Sequence, residues 1–221
     1  MTTVLTPAVA EDTLADLVHR LGDLPLVRIR VQPAIGTARE DDLVLLEKPV
    51  CELVDGVFVD LAMGYYESRL AAVLIFFIES WLTDHRLGYC NGEGAPVRLE
   101  RGLVRLPDVS FTSWDRVPDG QVPQTPICEI VPNLAVEILS AGNTLAEMER
   151  KRHEYFEASV EQVWIVHPSK RTVEVWSSPK DCHILDETEV LTAGTLLPGF
   201  QLKLTDWFGR ADGPSRGRSG T

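Results

Sequence analysis

The segment Leu134-Ala135-Val136-Glu137-Ile138-Leu139 is a continuous apolar run interrupted by one carboxylate. It reads as a strand with apolar neighbours on both faces, so Glu137 projects into a core or a cleft. An unpaired carboxylate in such a place is costly and calls for a metal ion, a cation or a proton. Taken alone, it also reads as a buried glutamate satisfied by an arginine or by hydroxyls.

Asp108 follows Leu106-Pro107 and opens Val109-Ser110-Phe111, a second apolar-patterned strand. Proline has no amide hydrogen, which suits a sheet edge or a bulge where side chains are re-aimed. On its own, Asp108 is a strand-start residue facing solvent. Beyond the strand ending at Leu139, only Ser140 to Asn143 precede Thr144-x-x-Glu147, a capping box that opens a helix to about Ala158. Leu145, Met148, Arg152, Tyr155 and Phe156 share one broad face of that helix, and Lys151 lies at its flank. From there the ammonium either snorkels into solvent or points across the C-terminal end of the Glu137 strand. Glu52, in Glu52-Leu53-Val54-Asp55-Gly56, reads as an exposed strand-start residue, and Asp55 belongs to the turn. Together these residues are what metal-assisted phosphodiester hydrolysis requires: hard oxygen ligands for Mg²⁺ and a cation near the scissile phosphate.

The remaining pattern is α/β. Within the first fifty residues, Leu14, Leu17, Val18 and Leu21 have helical spacing, Val27–Val31 alternates like a strand, and Thr37-x-x-Glu40 caps a second helix to about Lys48. Asp55-Gly56 joins two apolar runs as a hairpin. After Gly64 comes one long helix to about residue 85, apolar almost all round from Leu70 to Leu82. Such a helix is buried on more than one side, as between a sheet and a second subunit, which implies a homodimer. Strands are expected at Leu87–Tyr89, Val97–Leu99, Leu103–Phe111, Val163–Val166 and Thr172–Trp176, with a proline-rich surface loop from Ser113 to Pro132. Strand, strand, helix, strand implies a mixed sheet with the capped helix as its crossover. The Gly/Ser/Arg-rich tail from Gly209 reads as disordered.

Composition narrows the function. Four cysteines at 51, 90, 128 and 182 have no zinc or redox spacing, and the longest apolar stretch is too short to span a membrane. With no signal peptide at the start, a soluble, cytoplasmic protein is expected. The net charge is −12, from 33 acidic and 21 basic residues. A basic footprint for nucleic acid is missing, so non-specific DNA affinity is expected to be weak. Local cations remain: Arg150, Arg152 and His153 near Lys151, with Arg98, Arg101 and Arg105, either contact phosphate or are solvated surface charges.

Pro107-Asp108 followed by an apolar strand bearing Glu137 resembles the PD-(D/E)XK restriction-endonuclease-like superfamily. More closely, the chain resembles the Uma family of endonucleases, from about Glu52 to Phe208. The resemblance runs through Glu52–Gly56, Leu106–Val109, Leu134–Ser140, Glu149-Arg150-Lys151 with Tyr155, Trp164–Pro168 and Leu197–Phe200. It implies a restriction-endonuclease-like mixed sheet over 51–208, an N-terminal extension over 1–50 and a tail over 209–221. It implies Asp108 and Glu137 as Mg²⁺ or Mn²⁺ ligands, Glu52 as a supporting acid and third metal ligand, and Lys151 as the catalytic cation. The superfamily's lysine position is Leu139 here; in the Uma family the lysine comes from the following helix, which fits Lys151. Where the family commonly has aspartate stands His167, at a strand end that makes it look structural. The implied activity is metal-dependent DNA endonuclease. The alternatives are an inactive, dimeric binding module of the same fold, or a metal-dependent phosphodiesterase for RNA or a nucleotide.

Overall fold

A computed structural model describes residues 13–46 and 51–214. The chain opens with α1 (Leu14–Arg20), capped by Thr13 in a reciprocal pair with Asp16. A 3₁₀ turn at Leu26–Arg28 and the short α2 (Glu40–Val44) follow. Strands β1 (Cys51–Val54) and β2 (Val57–Asp60) form the expected hairpin, its turn set by positive φ at Asp55 and Gly56. Next come α3 (Tyr65–His85), β3 (Gly88–Gly92), β4 (Val97–Glu100), β5 (Leu103–Arg105), β6 (Val109–Ser113) and β7 (Leu134–Ile138). The chain continues through α4 (Leu145–Glu157), β8 (Gln162–His167), β9 (Thr172–Ser178) and β10 (Asp181–Leu185). It closes with β11 (Val190–Leu191), β12 (Leu202–Lys203) and α5 (Leu204–Asp212).

Two sheets carry this order. One is four-stranded, β2-β1-β5-β4; the other is six-stranded, β10-β9-β8-β7-β6-β3, and β11-β12 is a separate ribbon. Every pair is antiparallel except β7-β8, the parallel pair whose crossover is α4. Alternation along β7 sorts its two faces. Leu134, Val136 and Ile138 enter a core with α3 and α5, whereas Ala135 packs with Met148 and Tyr155 of α4. Glu137 therefore points to the α4 side, where the four-stranded sheet also lies.

The long helix forms where expected, and α5 covers a second flank of it, Trp207 donating its indole N–H to the Leu70 carbonyl. Its apolar girth is thus met in large part within the chain. No helix among the described residues is long and apolar enough to cross a membrane. All four cysteines are free.

Several expectations are corrected. Val27–Val31 is not a strand; Pro25 leads into the 3₁₀ turn, Arg28 is buried, and only Ile29 bridges to Val59. Thr37 does not cap the second helix, because its hydroxyl donates to the Ala34 carbonyl; α2 starts after Arg39, whose amide bonds Asp42. That helix ends at Val44, and Lys48 lies outside the described residues. Leu103–Phe111 is two strands in two sheets, split where Pro107 cannot donate. Gly209 to Asp212 are helical, held by buried Trp207, Phe208 and Ala211; residues 215–221 lie outside the described residues. The short strands β10 to β12 had no signal in the pattern.

Candidate active site

The crossing from β5 to β6 brings one acid from each sheet to α4. Glu52 on β1 is fully buried, not exposed as its strand-start position suggested. Its Oε2 accepts from Arg105 Nη1 at 2.6 Å, while Oε1 lies 2.9 Å from Lys151 Nζ and accepts from the Leu106 amide at 3.3 Å. Lys151 is only 3% exposed, so it does not snorkel. Its ammonium also donates to Glu137 Oε2 at 2.9 Å, and the Tyr155 hydroxyl donates to Glu137 Oε1 at 2.6 Å. Asp108 directly precedes the paired Val109 and Val136, which sets it beside Glu137. The Ile138 amide donates to Asp108 Oδ2 at 2.5 Å; among the described residues Oδ1 has no hydrogen-bond partner.

The charges continue outward. Arg105 donates to Glu154 through Nε at 2.8 Å, Arg150 Nε donates to the other Glu154 oxygen at 2.6 Å, and Arg150 pairs with Asp55 at 3.1 Å. If all were ionised, five carboxylates (Asp55, Glu52, Asp108, Glu137, Glu154) would face three cations (Arg105, Arg150, Lys151), leaving two negative charges. The acids share that excess unequally. Burial would raise Glu52, but Lys151 and Arg105 outweigh it and hold its carboxyl at about 2. Burial raises Glu137, only partly offset by Lys151, and the charge of Glu52 adds to the rise. Asp108 is pushed well above the carboxylate range, first by burial and then by Glu137. Lys151 is raised because Glu137 and Glu52 overcome the cost of its burial. Asp108 and Glu137 are therefore the two carboxyls whose ionised forms the chain's own cations do not fully compensate.

Of the four acid and lysine candidates, Glu52, Lys151 and Glu137 meet directly, and Asp108 joins through Glu137's charge and strand. Among the described residues no group of three or more His, Cys, Asp or Glu is placed to hold an ion, which agrees with Glu52 turning to Arg105 and Lys151. Arg105 and Tyr155 belong to the site, whereas the sequence offers Arg105 only as a phosphate contact or a solvated charge and Tyr155 only as part of the helix's packing face and of the family resemblance. Arg105 carried the same signal as Glu137, a charge inside the apolar run Leu103-Val104-Arg105-Leu106. The other arginines are mostly committed: Arg98 pairs with Glu40 and Glu129, and Arg152 stacks on Trp176. His167 bonds Glu174 at 2.8 Å, in keeping with a structural place.

The Uma2 family model, described as "Putative restriction endonuclease", matches residues 40–205. A solved structure, a "putative nuclease belonging to DUF820" from Anabaena variabilis ATCC 29413, is similar at a TM-score of 0.67 and 19% identity. That match covers 77% of this chain and 97% of the other, and it shows a shared restriction-endonuclease-like fold. No curated protein matches the chain.

Proposed function

The chain belongs to the Uma2 family, and from that premise we propose that it is a metal-dependent nuclease hydrolysing phosphodiester bonds in DNA. The observation that carries this reading is the pair of buried carboxyls, Asp108 and Glu137, brought side by side on neighbouring strands at the ion-paired Lys151. Their donor set suits Mg²⁺ or Mn²⁺: hard oxygens, two carboxylates, and a free Asp108 oxygen, with water completing such a shell. Bound there, the ion would supply a Lewis acid for the phosphate and lower the pKa of water.

The protein's own residues do the remaining work. Tyr155 and Lys151 hold one oxygen each of Glu137, so its carboxylate cannot rotate. Glu52 keeps the Lys151 ammonium between two acids, charged and facing the site. Lys151 then offers positive charge near the reacting phosphate, and Arg105 keeps Glu52 ionised from behind. Glu52 acts in this reading as the anchor of Lys151 and not as a direct ligand.

Calorimetry with Mn²⁺ should show binding to the wild type and none to Asp108→Ala; if the wild type binds no ion at millimolar concentration, the reading falls and the inactive binding module replaces it. Supercoiled plasmid with Mg²⁺ or Mn²⁺ should be nicked by the wild type and not by Glu137→Ala or Lys151→Ala. Nicking that persists in both variants places the chemistry elsewhere.

A further inference from the structure

A pocket of about 300 Å³ opens on the α4 side of the six-stranded sheet. Leu139, Met148 and Ile165 line it with apolar surface, and Arg152, Glu174 and Trp176 supply its polar groups. The Arg152 guanidinium lies 3.6 Å from the centre of the Trp176 ring. The Glu149 carboxylate is 4.0 Å from it, and Arg152 Nε is buried without a partner. Glu174 is fixed between the Trp176 indole N–H and His167, each at 2.8 Å. Register relates this pocket to the acids: Glu137 pairs with Ile165, and Ile165 pairs with Glu174. The three residues form one row across the same sheet face, so two interstrand spacings put Glu174 ~10 Å from Glu137.

The chemistry selects the occupant. A phosphate would meet Glu149 and Glu174 as well as Arg152. A nucleobase offers a flat face for an apolar and guanidinium surface, ring acceptors for an unpartnered arginine donor, and amino donors for a carboxylate. An independent observation points the same way. Net charge is −12, and Arg98, Arg105, Arg116, Arg150 and Arg171 are all closed in ion pairs with the chain's own carboxylates. The cations nearest the Asp108 and Glu137 acids, Arg105 and Arg150, are thus already matched by carboxylates, which shifts the weight of nucleic-acid affinity from the phosphates toward the bases. A base inside a duplex cannot enter such a pocket.

We propose that this pocket takes an unpaired base of a single-stranded or locally opened strand whose phosphodiester lies at Asp108 and Glu137. The location of the scissile bond rests on the nuclease reading; the base pocket does not.

The test is equilibrium binding of the full chain to a labelled single-stranded oligonucleotide, an abasic strand of equal length and the matching duplex, by fluorescence anisotropy. The base-bearing strand should bind roughly ten-fold or more tighter than the other two. Its salt dependence should correspond to about one or two phosphates and not six to ten. Arg152→Gln should remove the preference. So should Leu145→Glu, which places a negative charge at the pocket mouth from a side chain 82% exposed and so leaves folding intact. Equal binding of abasic and base-bearing strands, tighter duplex binding, no binding, or an unchanged preference in Leu145→Glu overturns the proposal. Base preference without cleavage in Mn²⁺ keeps the pocket and refutes the nuclease reading. Cleavage without base preference does the reverse.

Discussion

At Asp108 and Glu137 the fold makes ionisation costlier than water does. The folded pKa of Asp108 is raised, so this group favours folding only while protonated, and that contribution is lost as pH rises through the folded value. Ionising Asp108 costs the folded chain stability. Asp108→Asn should therefore raise stability by about 1–2 kcal/mol, a gain of a few degrees in Tm, while abolishing the further rise that Mn²⁺ gives the wild type. Thermal melts with and without the ion measure both. Tyr155→Phe acts in the opposite sense. Its hydroxyl lowers the proton affinity of Glu137, so its loss should move Mn²⁺ binding to higher pH, with a stability cost of about 1–3 kcal/mol. Calorimetric titration across pH checks the direction. Glu137 was legible as a carboxylate in an apolar strand, and Lys151 as a cation on the adjoining helix. The burial of Glu52 was not, because what encloses it are Arg105 and Lys151, far along the chain and on other elements.

Among the elements, α4 ties the N-terminal segment to the site. Thr144 caps it and also donates its hydroxyl to the Gly22 carbonyl, and a Cβ on Gly22 would stand 2.6 Å from the Glu147 backbone. Arg28 reaches the same turn with two bonds to Glu147, at 2.7 and 2.8 Å, and one to the Gly142 carbonyl at 2.9 Å. The segment before β1 is thus clamped to the helix that bears Lys151. Arg28→Met leaves a buried carboxylate without its counter-ion and should cost about 3–5 kcal/mol; adding Glu147→Met should restore most of it. Urea midpoints for the two single variants and the double variant measure this coupling. Long, capped or uniformly apolar elements such as α3 and α4 were readable because local sequence suffices to make them. The pairing of β11 with β12, and the split between β5 and β6, were not, since both depend on partners remote along the chain.

For the molecule as a whole, acid is the informative perturbation. Glu52 and Glu147 have lowered folded pKa values, Glu52 at about 2, against ordinary values near 4.5 when unfolded. Their stabilisation is complete above that unfolded value and lost as pH falls toward 2. Acid unfolding should begin below about pH 4.5, and Glu52→Gln, less stable at neutral pH, should show a shallower loss between pH 4.5 and 2. Denaturant midpoints against pH distinguish the two slopes. The passage from β5 to β6 has one more consequence. Arg105 serves one sheet and Asp108 the other, with only Leu106 and Pro107 between them. There is no slack at this joint: one inserted residue would turn the following strand over, sending Asp108 to the α3 side and its apolar neighbours toward the charges. Chain length at a single step, as much as the identity of any acid, determines whether this site can exist.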